Sequence, residues 1–64
     1  MVSVGVRYDK HWDTILLTKV QYYDFKRATK NNKRWFVFED VVRNTTHAIN
    51  LQNVLFWRVI TDEF

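Results

Sequence analysis

Leu17-Thr18-Lys19-Val20-Gln21-Tyr22 is the stretch on which the fold turns. Thr18 and Gln21 have the spacing of a capping box: the Thr18 hydroxyl accepts the Gln21 amide proton, and the Gln21 side chain reaches back to the Thr18 N–H. Leu17 and Tyr22 occupy the two positions of a hydrophobic staple. The spacing predicts a helix over 19–29, followed by Lys30-Asn31-Asn32-Lys33, where an asparagine takes the left-handed conformation that ends helices. Tyrosine, valine and phenylalanine in this segment are strand formers; the capping pattern decides for helix. At about 100° per residue, Val20, Tyr22, Phe25 and Ala28 fall on one broad side, opposite Lys19, Tyr23, Lys26, Arg27 and Lys30.

Upstream, Val2, Val4, Val6 and Tyr8 alternate with Ser3, Gly5 and Arg7, the period of a half-buried strand. Asp9–Asp13 reads as a connection and Thr14–Leu17 as a short second strand. Downstream, the spacing predicts a strand over Arg34–Val42, a turn at Arg43-Asn44-Thr45-Thr46, and a strand over Thr46–Leu51. Gln52-Asn53 is a brief break before a last strand, Val54–Ile60, with Asp62 and Glu63 in a solvated tail. The sequence thus predicts an α+β fold: a small antiparallel sheet, order β-β-α-β-β-β, with one helix on one face. The last three strands are expected to form a meander. There is no proline and one glycine, and 64 residues make a single domain, 1–64.

Burial poses the sharper question. Trp35 and Val37 face one way in their strand, Phe36 and Phe38 the other. In the last strand Val54, Phe56 and Ile60 oppose Leu55, Trp57 and Val59. A three-turn helix covers one apolar face only in part. The second face calls for a second copy of the chain, with Phe36, Phe38 and Trp57 as the expected partner surface, or for a sheet curled into a barrel.

The polar inventory excludes much chemistry. No cysteine is present, which removes disulfides, thiolate catalysis and cysteine-ligated zinc, and fits a cytoplasmic protein. No apolar run reaches the roughly 18 residues of a membrane span, and no signal segment is expected. Asn44-Thr45-Thr46 matches the glycosylation triplet and reads as a turn. Asp9, His11 and Asp13 alternate, as metal ligands on an extended segment would, but such residues are common in loops and no metal or cofactor is expected. Ser3, the only serine, lies on the outward side of its strand, and Glu39 and Asp40 point to opposite faces. No enzymatic activity is expected; a chain this short is also expected to lack walls for a pocket of several hundred cubic ångströms.

Charge gives the second candidate surface. Lys19, Lys26, Arg27, Lys30, Lys33 and Arg34 face a single acid, Asp24, over 19–34, so the net charge of +3 comes from this segment. With Tyr23 among them and Trp35 alongside, they form a basic face able to hold phosphates and stack a base. The same residues also make an ordinary solvated face.

The capped helix, basic turn and aromatic strand, followed by Ile49-Asn50-Leu51-Gln52-Asn53-Val54, resemble short uncharacterised phage and plasmid proteins of Gram-positive bacteria. The strand–break–strand close is also similar in rhythm to Sm-like RNA-binding barrels, which place their helix first. The first resemblance implies an accessory or inhibitory protein that acts by binding. The expectation is a non-enzymatic module that binds another protein as a homodimer. The alternative is a nucleic-acid-binding protein using the basic face.

Overall fold

A computed structural model describes residues 1–62. The element order is β1 (Val2–Tyr8), β2 (His11–Leu17), α1 (Lys19–Lys30), β3 (Trp35–Asp40), β4 (Thr45–Asn50), a 3-10 turn η1 (Leu51–Asn53) and β5 (Val54–Asp62). It is the predicted β-β-α-β-β-β order in an α+β fold. The strands divide into two antiparallel sheets, β2-β1-β5 and β3-β4.

The helix begins as the sequence dictates. The Gln21 N–H donates to Thr18 Oγ1 at 3.2 Å, and the Thr18 N–H donates to Gln21 Oε1 at 2.8 Å. The Gln21 amide nitrogen then donates to the Glu39 carbonyl at 2.8 Å, so one side chain caps α1 and ties it to β3. At the other end the Asn31 N–H donates to Arg27 O and the Lys33 N–H to Ala28 O, with Asn32 at φ 55°. Phe25 is fully buried, and Tyr22 and Ala28 pack beside it. Val20, placed by periodicity on the same side, is 70% exposed. It stands roughly 140° around the helix from Phe25 at about 100° per residue, off the stripe that meets the sheets.

Several boundaries differ from expectation. β2 starts at His11 instead of Thr14, leaving Asp9 and Lys10 as a tight turn, with Asp9 at φ 49°. β3 stops at Asp40 because the buried Asp40 carboxylate accepts the Val42 and Arg43 N–H groups at 3.1 and 3.0 Å and turns the chain there. Asp62 is still part of β5, whereas Glu63 lies outside the described residues.

The predicted meander does not form: β5 pairs with β1, not with β4. The 3-10 turn, whose Leu51 N–H donates to Arg34 O at 2.6 Å, redirects the chain out of the hairpin. Two register shifts along β5 leave Leu55 and Ile60 without partners in β1. Each such bulge reverses the alternation that follows it. Val54, Trp57 and Val59 therefore pair with Tyr8, Val6 and Val4 on one side, while Phe56 and Arg58 pair with Arg7 and Gly5 on the other. Strict period two had placed Val54 with Phe56.

Both sheets turn their apolar faces to one core. Val2, Val4, Val6 and Leu17 meet Phe25 from the helix and Phe36, Phe38 and Ile49 from the hairpin. Phe25 holds it together, packing edge-on against Phe36 at 5.3 Å and Trp57 at 5.1 Å. Burying such a side chain contributes roughly 1.5–3 kcal/mol. The accessible surface, 4653 Å², is close to the roughly 4,400 Å² expected of a folded monomer of this mass. Curling the chain is thus sufficient to close the core. Phe36 and Phe38 lie inside it and Trp57 is half-buried against the helix, which corrects the expectation that these three stand free as a partner surface.

Candidate interaction surfaces

The outer face of the β3-β4 hairpin carries the residues the core rejects. Alternation buries Phe36, Phe38 and Asp40 and turns Trp35, Val37 and Glu39 outward. Trp35 is 56% exposed and Val37 63%. Register places Ala48 beside Val37, extending the apolar strip across the hairpin, with the polar Asn50 beside Trp35. Val41 and Val42 are exposed at its turn. Among the described residues no strand pairs with the other side of β4. His47 is exposed, stacking on Phe38 at 5.4 Å and sharing a hydrogen bond with Thr45 Oγ1 at 2.8 Å.

The basic face is on the surface as the sequence implies. Lys19, Tyr23, Lys26, Arg27, Lys30, Lys33 and Arg34 are all exposed, and the burial of Phe25 turns the lysine side of α1 outward. Lys26 Nζ sits 5.0 Å from the Tyr22 ring centre and 5.3 Å from that of Tyr23, a cation over two rings. Arg27 and Asp24 are 3.8 Å apart, an exposed pair of little energetic weight. Trp35 adjoins this face in sequence but opens β3, which Arg34 immediately precedes.

The described residues do form concavities, against the expectation that so short a chain could not wall a pocket of several hundred cubic ångströms. The larger, about 360 Å³, opens between the end of α1 and η1, lined by Thr29, Asn32, Lys33, Leu51, Gln52, Val54 and Trp57. The smaller, about 220 Å³, lies between β2 and the hairpin and includes Tyr8, Asp13, Asp40, Arg43 and His47. Burial raises the Tyr8 hydroxyl above its ordinary pKa, and the Asp13 carboxylate adds to the shift. Arg43 Nε stands 3.8 Å from Asp40 Oδ2, supporting the turn. The alternating Asp9, His11 and Asp13 do not converge: among the described residues no three metal-ligating side chains come together.

Sequence reasoning missed the larger concavity because Thr29, Asn32, Lys33 and Gln52 come from segments twenty residues apart. The only local signals were the paired asparagines after the helix and the Asn50-Leu51-Gln52 break. Among the described residues no helix is long and apolar enough to cross a membrane. The chain matches no protein-family model, no curated protein and no solved structure.

Proposed function

We propose that this protein is a non-enzymatic interaction module that binds another protein, in the first instance a second copy of itself, through the β3-β4 hairpin. The observation that carries this reading is the exposure of Trp35 and Val37 beside an open, uncharged strand. β4, Thr45–Asn50, contains no Lys, Arg, Asp or Glu, whereas every other strand contains at least one. Natural edge strands are guarded by charges or bulges; β5 has Arg58 and two bulges, and β4 has neither. Two copies, each with a net charge of +3, meet with less local repulsion where the strand is neutral. Antiparallel pairing of β4 with its counterpart would join two hairpins and their Trp35–Val37 strips. A binding role of this kind is also what the resemblance to phage and plasmid accessory proteins implies.

Light scattering at micromolar concentration should report about twice the chain mass of 7.9 kDa. Val37→Lys, on the outward face, should return the chain to monomer while its melting temperature stays within a few degrees. A monomer throughout, in parent and variant alike, would sink this reading.

A second reading, binding of nucleic acid along the helix, is favoured by the exposure of Lys26 and Lys30 on the side of α1 away from Phe25. With about four phosphate contacts, log affinity should fall against log salt with a slope of roughly −3 for single strands. Lys26→Glu with Lys30→Glu should abolish the binding and leave the fold intact. A flat salt dependence would rule this reading out.

A further inference from the structure

The concavity between α1 and η1 has a chemistry that neither the hairpin nor the lysine face accounts for. Its walls are set by backbone. The Asn32 N–H donates to Thr29 O at 3.3 Å and the Lys33 N–H to Ala28 O at 3.0 Å, which fixes the helix end. Opposite, the Leu51 N–H is bonded to Arg34 O at 2.6 Å, and the Gln52 N–H donates to Asn50 Oδ1 at 3.1 Å, which fixes η1. The cleft therefore stands preformed, and a ligand has little ordering to bring about. Its volume, about 360 Å³, is at the small end of the roughly 300–1,000 Å³ of ligand sites.

The lining is divided in kind. Leu51, Val54 and the Trp57 indole supply apolar surface; Asn32 and Gln52 supply two primary amides, Thr29 a hydroxyl and Lys33 an ammonium. The Thr29 hydroxyl already donates to Lys26 O at 2.8 Å, which leaves its oxygen as an acceptor. Among the described residues no carboxylate lines the cleft, and the Lys33 ammonium is its one full charge. Each amide presents a donor and an acceptor together, the pattern that matches the edge of a flat heterocycle. An aromatic platform, two amides and one cation meet in one ligand chemistry, a planar base bearing a negative group.

We infer that this cleft binds a nucleobase carrying a phosphate. The ring lies on the apolar wall with Trp57, Asn32 and Gln52 read its edge, and Lys33 holds the phosphate. Both a free mononucleotide and one unit of a single-stranded nucleic acid have this chemistry. The site is separate from the hairpin strip, so its failure would leave the assembly reading standing, and the reverse.

The test follows the Trp57 indole N–H by NMR during titration with a nucleoside, its monophosphate and a short single-stranded oligonucleotide. The monophosphate, the oligonucleotide or both should shift Trp57 together with the amides of Asn32 and Gln52. Saturation by the monophosphate assigns the free nucleotide as ligand; saturation by the oligonucleotide alone assigns the strand. Asn32→Gly combined with Gln52→Ala should weaken the binding about tenfold. Glycine keeps the left-handed backbone at that position, and an unchanged melting temperature confirms the fold. Lys33→Gln should weaken phosphate-bearing ligands and leave the nucleoside unaffected. The inference is overturned if no ligand moves Trp57 at millimolar concentration, or if the shifts persist unchanged in these variants.

Discussion

On the outer face of β2-β1-β5, Trp12 meets Phe56 edge-on at 5.9 Å and Arg58 lies over the Trp12 ring at 5.1 Å. On the outer face of β3-β4, Trp35 meets no other ring among the described residues, and Val37 stands beside it in solvent. Both faces expose apolar residues, yet they deal with them differently. The three-stranded face packs its rings on one another, although Trp12 and Phe56 remain 47% and 54% exposed. Gly5 makes room for this: a Cβ placed there would come within 3.1 Å of Ile60 Cδ1 and 3.6 Å of the Trp12 ring. Among the described residues the hairpin has two strands and no third to fold a side chain over its strip. The patch without such ring contacts is the one the proposed partner would cover.

The contrast is most easily broken within a single strand. Phe36→Ala removes a buried ring packed on Phe25 and Phe38 and should cost about 3–5 kcal/mol, enough to unfold much of a chain this small in a thermal melt. Trp35→Ala, one residue earlier, should change monomer stability by no more than about 0.5 kcal/mol and show its effect in the light-scattering mass. Equal losses of stability in the two variants would mean that Trp35 is not the surface residue its exposure indicates.

A smaller effect separates the two outer faces. Trp12→Ala should lose the Phe56 contact and the Arg58 stack, on the order of 1 kcal/mol, a fall of about 4–8 °C in melting temperature. The assembly state should not change. If Trp12→Ala lowers the light-scattering mass and Trp35→Ala does not, the proposed interface must be moved to the three-stranded face.

Much of this was written locally. The Thr18–Gln21 box fixed the start of α1, and alternation in 35–40 separated Phe36 and Phe38 from Trp35 and Val37. The charged helix face followed from the position of Phe25 on a 100° wheel. Each of these depends on residues within a turn or a pleat of one another, where geometry follows from spacing. The reading failed where spacing was altered by something outside the window. Asp40 ends β3 with its own carboxylate, a bond to backbone that periodicity does not register. The two β5 bulges exist only against β1, fifty residues away, and they moved Val54 to the side of Trp57.

The sequence by itself thus determined the elements, their order and the split of apolar and charged residues between faces, because these are set by local periods and caps. Only the tertiary structure decided which strand β5 joins, and that Phe36 and Phe38 are core with Trp57 packed against it. It alone brought Asn32 and Lys33 to Gln52 around Trp57. Strand partnership is a competition among long-range pairings of similar local merit, and burial of the whole chain settles it, not any one segment.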